Sequence, residues 1–289
     1  MKTSIVYIIL LLATVQFAYS QEEQRSADKF VAKCPNEIFI GAILEANSIN
    51  QDTYKIWDVP INPITVSYTL PIKSQTITPG YSNMMNALHE ALKTDDVLKS
   101  NYSFSFAIKE IKSYNELAVN WGQQINPEIL LGVSPKYQTN KRILMVDITQ
   151  SFFSIGMDLP ESLSTDPKVL QQLDELIYIN SIQFGRKITV AIESYSDYHE
   201  LKESISNLLD HKPIDSKVQS MLANSTIRIM TVGGNNMEEM NPDNPFAYVL
   251  NYFSKEVTPD DFGTPISFSA SHIKDNSVFV NKFSFNKNK

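Results

Sequence analysis

The run Ser181-Ile182-Gln183-Phe184-Gly185-Arg186-Lys187-Ile188-Thr189-Val190-Ala191-Ile192-Glu193-Ser194 decides the fold. Ile182, Phe184, Ile188, Val190 and Ile192 fall on one face of an extended chain, with Arg186 the exception. Ser181, Gln183, Lys187, Thr189 and Glu193 take the other. A period of two over this length predicts a long strand, half buried, with one face on a core.

Working outward, similar signals predict strands at about 102–114, 142–159, 177–194, 225–232 and 278–285, with shorter ones at 38–44 and 64–70. Helical spacing interrupts them. Met84/Met85, Leu88 and Ala91/Leu92 form a stripe with Ser82 as cap, and Asp166-Pro167 opens a helix with Val169, Leu170, Leu173 and Leu176 on one face. The mixture predicts an α+β fold around a mostly antiparallel sheet.

Two segments point beyond a plain core. From Leu117 to Tyr137 the odd positions Leu117, Val119, Trp121, Ile125, Ile129, Leu131 and Val133 are apolar, and only Gln123 breaks their register. The even positions are mostly small or polar. Alternation of this kind is what a membrane β-hairpin requires, each half having about ten residues. A three-residue loop Asn126-Pro127-Glu128 would place Ile125 opposite Ile129. The same pattern suits an ordinary amphipathic hairpin on a core, and Asn126-Pro127 equally suits the start of a short helix. In the second segment Tyr198, Leu201, Ile205 and Leu208/Leu209 fall at helical spacing, and Asp215, Val218, Met221 and Leu222 suit another short helix. Read as a strand, it puts Leu201, Ile205 and Leu209 on one face, but with Asp197, Glu203 and Asn207.

The ends and the composition bound the function. Lys2, the apolar stretch from Ile5 to about Ala18, and Ala18-Tyr19-Ser20 read as a secretory signal over residues 1–20, leaving a core over 21–289. Residues 21–29 are polar and are expected to be flexible. Net charge is −7, and the pI of about 5.2 argues against nucleic acid as a partner. Cys34 is the only cysteine, so neither an internal disulfide nor a cysteine zinc site can form, a usage that suits a bacterial secreted chain. There is no P-loop, no Gly-x-Ser-x-Gly elbow and no His-Glu-x-x-His, since His89-Glu90-Ala91-Leu92-Lys93 lacks the second histidine. No catalytic residue, metal or cofactor is therefore expected, and the chain reads as a non-enzyme.

Several phrases taken together resemble the membrane attack complex/perforin and cholesterol-dependent cytolysin superfamily. They are Ile40-Gly41-Ala42-Ile43-Leu44, Asn62-Pro63-Ile64-Thr65-Val66-Ser67, Phe152-Phe153-Ser154, Ser181-Ile182-Gln183-Phe184-Gly185-Arg186, Val232-Gly233-Gly234, Pro265-Ile266-Ser267-Phe268 and Lys274-Asp275-Asn276-Ser277. The resemblance implies a bent four-stranded sheet flanked by two helical clusters, each convertible into a membrane-crossing hairpin once the chains form a ring. It places the clusters at about Leu117 to Tyr137 and His199 to Ala223. It implies a hinge at Gly233 and Gly234, a strand-register pair at Tyr114 and Ile227 (the second not aromatic as the family has it), and a structural sheet motif at Gly185 and Arg186.

The resemblance further implies a secreted pore-forming protein that self-oligomerises on a target membrane. Typical members continue into a sterol-binding β-sandwich with a tryptophan-rich loop, whereas the only tryptophans here are Trp57 and Trp121. The expectation is a short component whose missing C-terminal recognition domain is supplied by a longer cytolysin-like partner. The alternative is a non-lytic binding or scaffolding protein on the same fold.

Overall fold

The computed structural model describes residues 22–93, 102–132, 141–210, 212–213, 215–232 and 245–286. Two long antiparallel strands run through it, β7 (Arg142–Met157) and β8 (Leu176–Ser194). The other elements are β1 (Glu22–Ala27), β2 (Lys29–Val31), β3 (Ile43–Glu45), β4 (Ile64–Tyr68), β5 (Gln75–Ile77), β6 (Ser103–Ile111), β9 (Thr226–Val232), β10 (Thr264–His272) and β11 (Asn281–Asn286). The helices are α1 (Tyr81–Leu92), α2 (Leu117–Trp121), α3 (Pro127–Leu131), α4 (Pro167–Leu170), α5 (Tyr198–Leu209), α6 (Ser216–Ala223) and α7 (Pro245–Ser254).

The partners of the long pair change halfway along it. At one end β6 pairs Ile143–Ser151 of β7 and β9 pairs Lys187–Glu193 of β8, giving a four-stranded antiparallel sheet in the order β6-β7-β8-β9. At the other end β4 takes over on β7, while β10 and β3 take over on β8. The changeover coincides with a bulge between Ser151 and Phe153, where β7 gains a residue against Gly185. Bulges bend a strand, and here the bend needs glycine. A Cβ on Gly185 would overlap the carbonyl of Gln150, and the Gly185 carbonyl itself lies against Gly263.

Arg186 holds the same corner. It is 2% exposed and donates to the carbonyls of Lys255 (2.6 Å) and Glu256 (3.2 Å) and to Asp261 Oδ2 (3.2 Å), with its guanidinium 5.3 Å from the Phe152 ring centre. A charge taken out of water this completely must be paired, which explains the one polar exception in the apolar register.

Apolar residues on both faces of the sheet make two cores. Leu144, Val146, Ile148, Ile188, Val190, Ile192 and Ile229 pack with α5, α6 and α7. Ile111, Ile143, Met145, Ala191 and Met230 join Leu117, Trp121 and Leu131 in a larger core on the other face.

Several expectations are corrected here. β8 is buried on both faces: Lys187, Thr189 and Glu193 are as enclosed as their apolar neighbours and remain so because they are paired. Residues 22–27 form β1, in register with β11, because the far end of the chain supplies the backbone partners that the local sequence cannot advertise. Of the expected 38–44 strand only Ile43 and Leu44 are strand, in β3. α1 starts at Tyr81, with Gly80 and not Ser82 at the cap position. α4 ends at Leu170, and Leu176 opens β8.

Candidate functional site

The top of the four-stranded sheet carries both unusual segments. β6 ascends to Ile111 and β7 descends from Arg142; β8 ascends to Ser194 and β9 descends from Thr226. Residues 112–141 thus connect two adjacent antiparallel strands, residues 195–225 connect the next two, and the connections differ in length by a single residue. Each could be an extension of its own strand pair. In this structure the described part of each is folded back as helices, one on each face.

The first cluster consists of a 3-10 turn at Tyr114–Glu116, then α2 and α3. Local chemistry accounts for its breaks. α2 ends on Gly122 at φ 66°, where a Cβ would overlap the Lys29 carbonyl. α3 begins with Asn126 accepting from the Glu128 amide at 3.0 Å and Pro127 in the first turn, so the helical reading of Asn126-Pro127 is the one realised in this state. Leu117, Trp121 and Leu131 are buried. Val119 and Ile125 are half-buried, packing with Ala118 against Phe283 and Phe285 of β11, whereas Ile129 is 62% exposed. Val133 lies outside the described residues.

The second cluster is α5 and α6, capped by the side chains of Asp197 and Asp215 on the amides of His199 and Val218 (both 2.8 Å). Leu201, Ile205, Leu208 and Leu209 bury one face of α5, so helical spacing describes it. Gly233 and Gly234 lie outside the described residues.

Polar contacts seat the first cluster. The Tyr114 hydroxyl donates to Glu193, whose carboxylate lies 3.8 Å from Arg228 Nε, and Arg228 Nη1 donates to the Leu131 carbonyl at 3.2 Å. Burial, then the hydrogen bond and charge of Glu193, push the Tyr114 phenol well above its ordinary range. One network, buried at Tyr114 and Glu193 and partly exposed at Arg228, thus joins the first turn of the cluster, the last carbonyl of α3 and two strands. Tyr114 is buried on this face, while Ile227 packs half-buried on the opposite one. Gln123, the polar break in the apolar register, is wholly buried at the end of α2, 3.2 Å from the Tyr54 hydroxyl.

Glu193, Arg228 and the part-buried pair Lys187–Asp147 (Nζ to each carboxylate oxygen, 2.7 Å) were not singled out from the sequence. Their signal was present, as charged side chains inside strands that must otherwise be buried. Among the described residues no group of three or more His, Cys, Asp or Glu could hold a metal, and no helix is long and apolar enough to cross a membrane. The second fact says nothing of crossing by strands.

Comparison with known proteins gives a consistent result. The family model for thiol-activated cytolysins matches residues 16–285. Tetanolysin of Clostridium tetani is 24% identical over 82% of this chain and 51% of its own length. Seeligeriolysin of Listeria seeligeri is 23% identical over 90% and 55% respectively. The chain therefore spans about half the length of the curated relatives it matches. A non-hemolytic pneumolysin from Streptococcus pneumoniae strain ST306 shares the fold with a TM-score of 0.72 at 17% identity, over 91% of this chain and 63% of that one.

Proposed function

Because this chain belongs to the thiol-activated cytolysin family, we propose that it is a secreted pore-forming protein whose two helical clusters open into membrane-crossing β-hairpins after self-association. The observation that carries the proposal is strand register. The β6–β7 ladder pairs Ile111 with Ile143; continued outward without a slip, it brings Ile125 opposite Ile129 around Asn126-Pro127-Glu128. That is the alignment that alternation demands, and it keeps Leu117, Val119, Trp121, Ile129, Leu131 and Val133 on one face.

The β8–β9 ladder pairs Glu193 with Thr226; continued likewise, it brings Leu201 opposite Val218 and Ile205 opposite Ile214, on the same side of the sheet as the first hairpin's apolar face. Both hairpins would then turn their apolar positions to the same side, the second interrupted there by Asp197, Glu203 and Asn207.

Energetics agree with a latent device. Lifting α5 off the sheet into water would expose Leu201, Ile205 and Leu209, at about 1.5–3 kcal/mol each. A bilayer accepts the same side chains without that cost, so the helices stay folded until lipid is at hand. The finer part of the proposal is that a longer cytolysin-like partner supplies membrane recognition. Its support is that Trp121 is buried and Trp57 half-buried within the core, leaving neither free as a recognition aromatic.

A non-lytic binding role is the second reading. It draws on Asp197 and Glu203, which fall on the register that would face lipid. Electron microscopy of liposomes carrying this protein and its longer partner tests both: rings with dye release support the pore, and docking without release favours the second reading.

A further inference from the structure

Folding leaves Tyr195 in water: its side chain is 73% exposed, one residue past the end of β8 at the root of the second connection. The Lys141 ammonium lies 5.3 Å from its ring centre and 3.4 Å from Thr226 Oγ1. The two meet because they stand opposite each other. β7 pairs Arg142 with Ser194 of β8, so the next step of that ladder pairs Lys141 with Tyr195. Two steps beyond its last pair, the β6–β7 ladder sets Ser113 beside Lys141, and the β8–β9 ladder sets Asn224 beside Tyr195. Four strands thus contribute one row made of a hydroxyl, an ammonium, a phenol and an amide, with no carboxylate.

The row faces the side to which both hairpins turn their apolar positions, since Tyr195 and Leu201 share parity on one strand. Leu117, the first apolar position of the first hairpin, comes four residues after Ser113. That is about 13 Å of strand, or about 10 Å in height at the tilt of a membrane barrel. The polar layer outside the hydrocarbon is roughly 5–8 Å deep on each side, so long side chains leaning back from this row end within it.

We propose that Lys141 and Tyr195 form a headgroup contact that binds phospholipid phosphates on the outside of the open barrel and fixes how far the hairpins sink. An ammonium pairs with a phosphate, and a tyrosine places its apolar ring and polar tip where lipid meets water. Asp197 falls on the same side one row nearer the membrane, and Lys141 offsets its charge. Neither Lys141 nor Tyr195 belongs to a helix, so conversion of the two clusters leaves the pair in place and repeats it once per subunit around a ring. The contact rests on the hairpin register of the proposed function.

Depth-dependent quenching tests it, on phosphatidylcholine vesicles where wild type forms rings. A dye is attached at Asn224→Cys or at Val218→Cys, each with Cys34→Ala, and the lipids carry a nitroxide on the headgroup or midway along the acyl chain. The headgroup nitroxide should quench the dye at 224 and the chain nitroxide the dye at 218. Replacing Lys141 and Tyr195 together by Ala should change the headgroup quenching at 224 by about twofold or more, while Lys141→Arg with Tyr195→Trp preserves it. Both pairs of changes lie at the surface, and melts must match wild type. If the dye at 218 behaves as expected but the dye at 224 ignores the headgroup quencher, or the double alanine variant leaves its quenching unchanged, the headgroup contact is wrong and the proposed function stands. If neither dye is quenched in confirmed rings, or no rings form, the pore reading fails and the contact fails with it.

Discussion

Val218 and Gln219 are adjacent on α6, and the hairpin register sends them to opposite faces. In this structure Val218 is half-buried at the margin of the core and Gln219 is exposed. Lysine at 218 would extend its ammonium to water and lose about 1 kcal/mol or less of apolar burial, and lysine at 219 should change stability by no more than about 0.5 kcal/mol. In the hairpin Val218 lies opposite Leu201, near the middle of the strands, so a lysine there meets the bilayer core at about 2–4 kcal/mol. That is roughly a 30- to 1000-fold loss in the insertion equilibrium per subunit. Gln219 lies opposite Glu200 on the other face, where lysine gains a partner. The assay is dye release from liposomes on which wild type assembles, with thermal melts confirming both variants folded. Val218→Lys should abolish release while Gln219→Lys retains it. Equal activity of the two, or loss confined to Gln219→Lys, refutes the register argument.

Three other outcomes follow from the structure. Gly185→Ala should destabilise the fold by about 3 kcal/mol or more, lowering Tm by roughly 6–12 °C in a differential scan, since its methyl would overlap the Gln150 backbone. Burial lowers the Lys33 pKa from 10.5 to about 8, against the pull of Asp52, so the folded chain gives up this proton before the unfolded chain does. Its contribution to stability therefore rises with pH between those two values, and in urea unfolding at stepped pH Lys33→Met should flatten that rise. The purified protein alone should neither bind nor permeabilise liposomes, with or without sterol; robust leakage by itself would remove the need for a partner.

The sheet was legible where alternation and burial agree. β7 and β8 are long enough that their apolar register could not be mistaken, and Asp166-Pro167 and Asn126-Pro127 mark helix starts by side-chain chemistry that acts within three residues. β1 was not legible: Glu22-Glu23-Gln24-Arg25-Ser26-Ala27 has no apolar face, and it is ordered by pairing with residues some 260 positions away. The odd face of β8 misled for a related reason. Lys187, Thr189 and Glu193 looked solvated because sequence cannot show that Asp147 and Tyr114 wait opposite them. Periodicity in the two clusters spoke for different states. α5 shows its helical pattern because the core it packs on selects it, while Leu117–Tyr137 shows the period of two although its described part, up to Gly132, is folded into α2 and α3.

That difference in period offers the most direct test of the conversion. A polarity-sensitive dye placed at each position from Tyr198 to Leu209 in turn, on a Cys34→Ala background, reads the whole of α5. In the soluble protein the dry positions should follow the helix, at Leu201, Ser204, Ile205, Leu208 and Leu209. After assembly on membranes the account predicts a period of two through the strand interior, dry at Leu201 and Ile205 and wet at Lys202, Ser204 and Ser206. A helical period that persists in confirmed rings would contradict it.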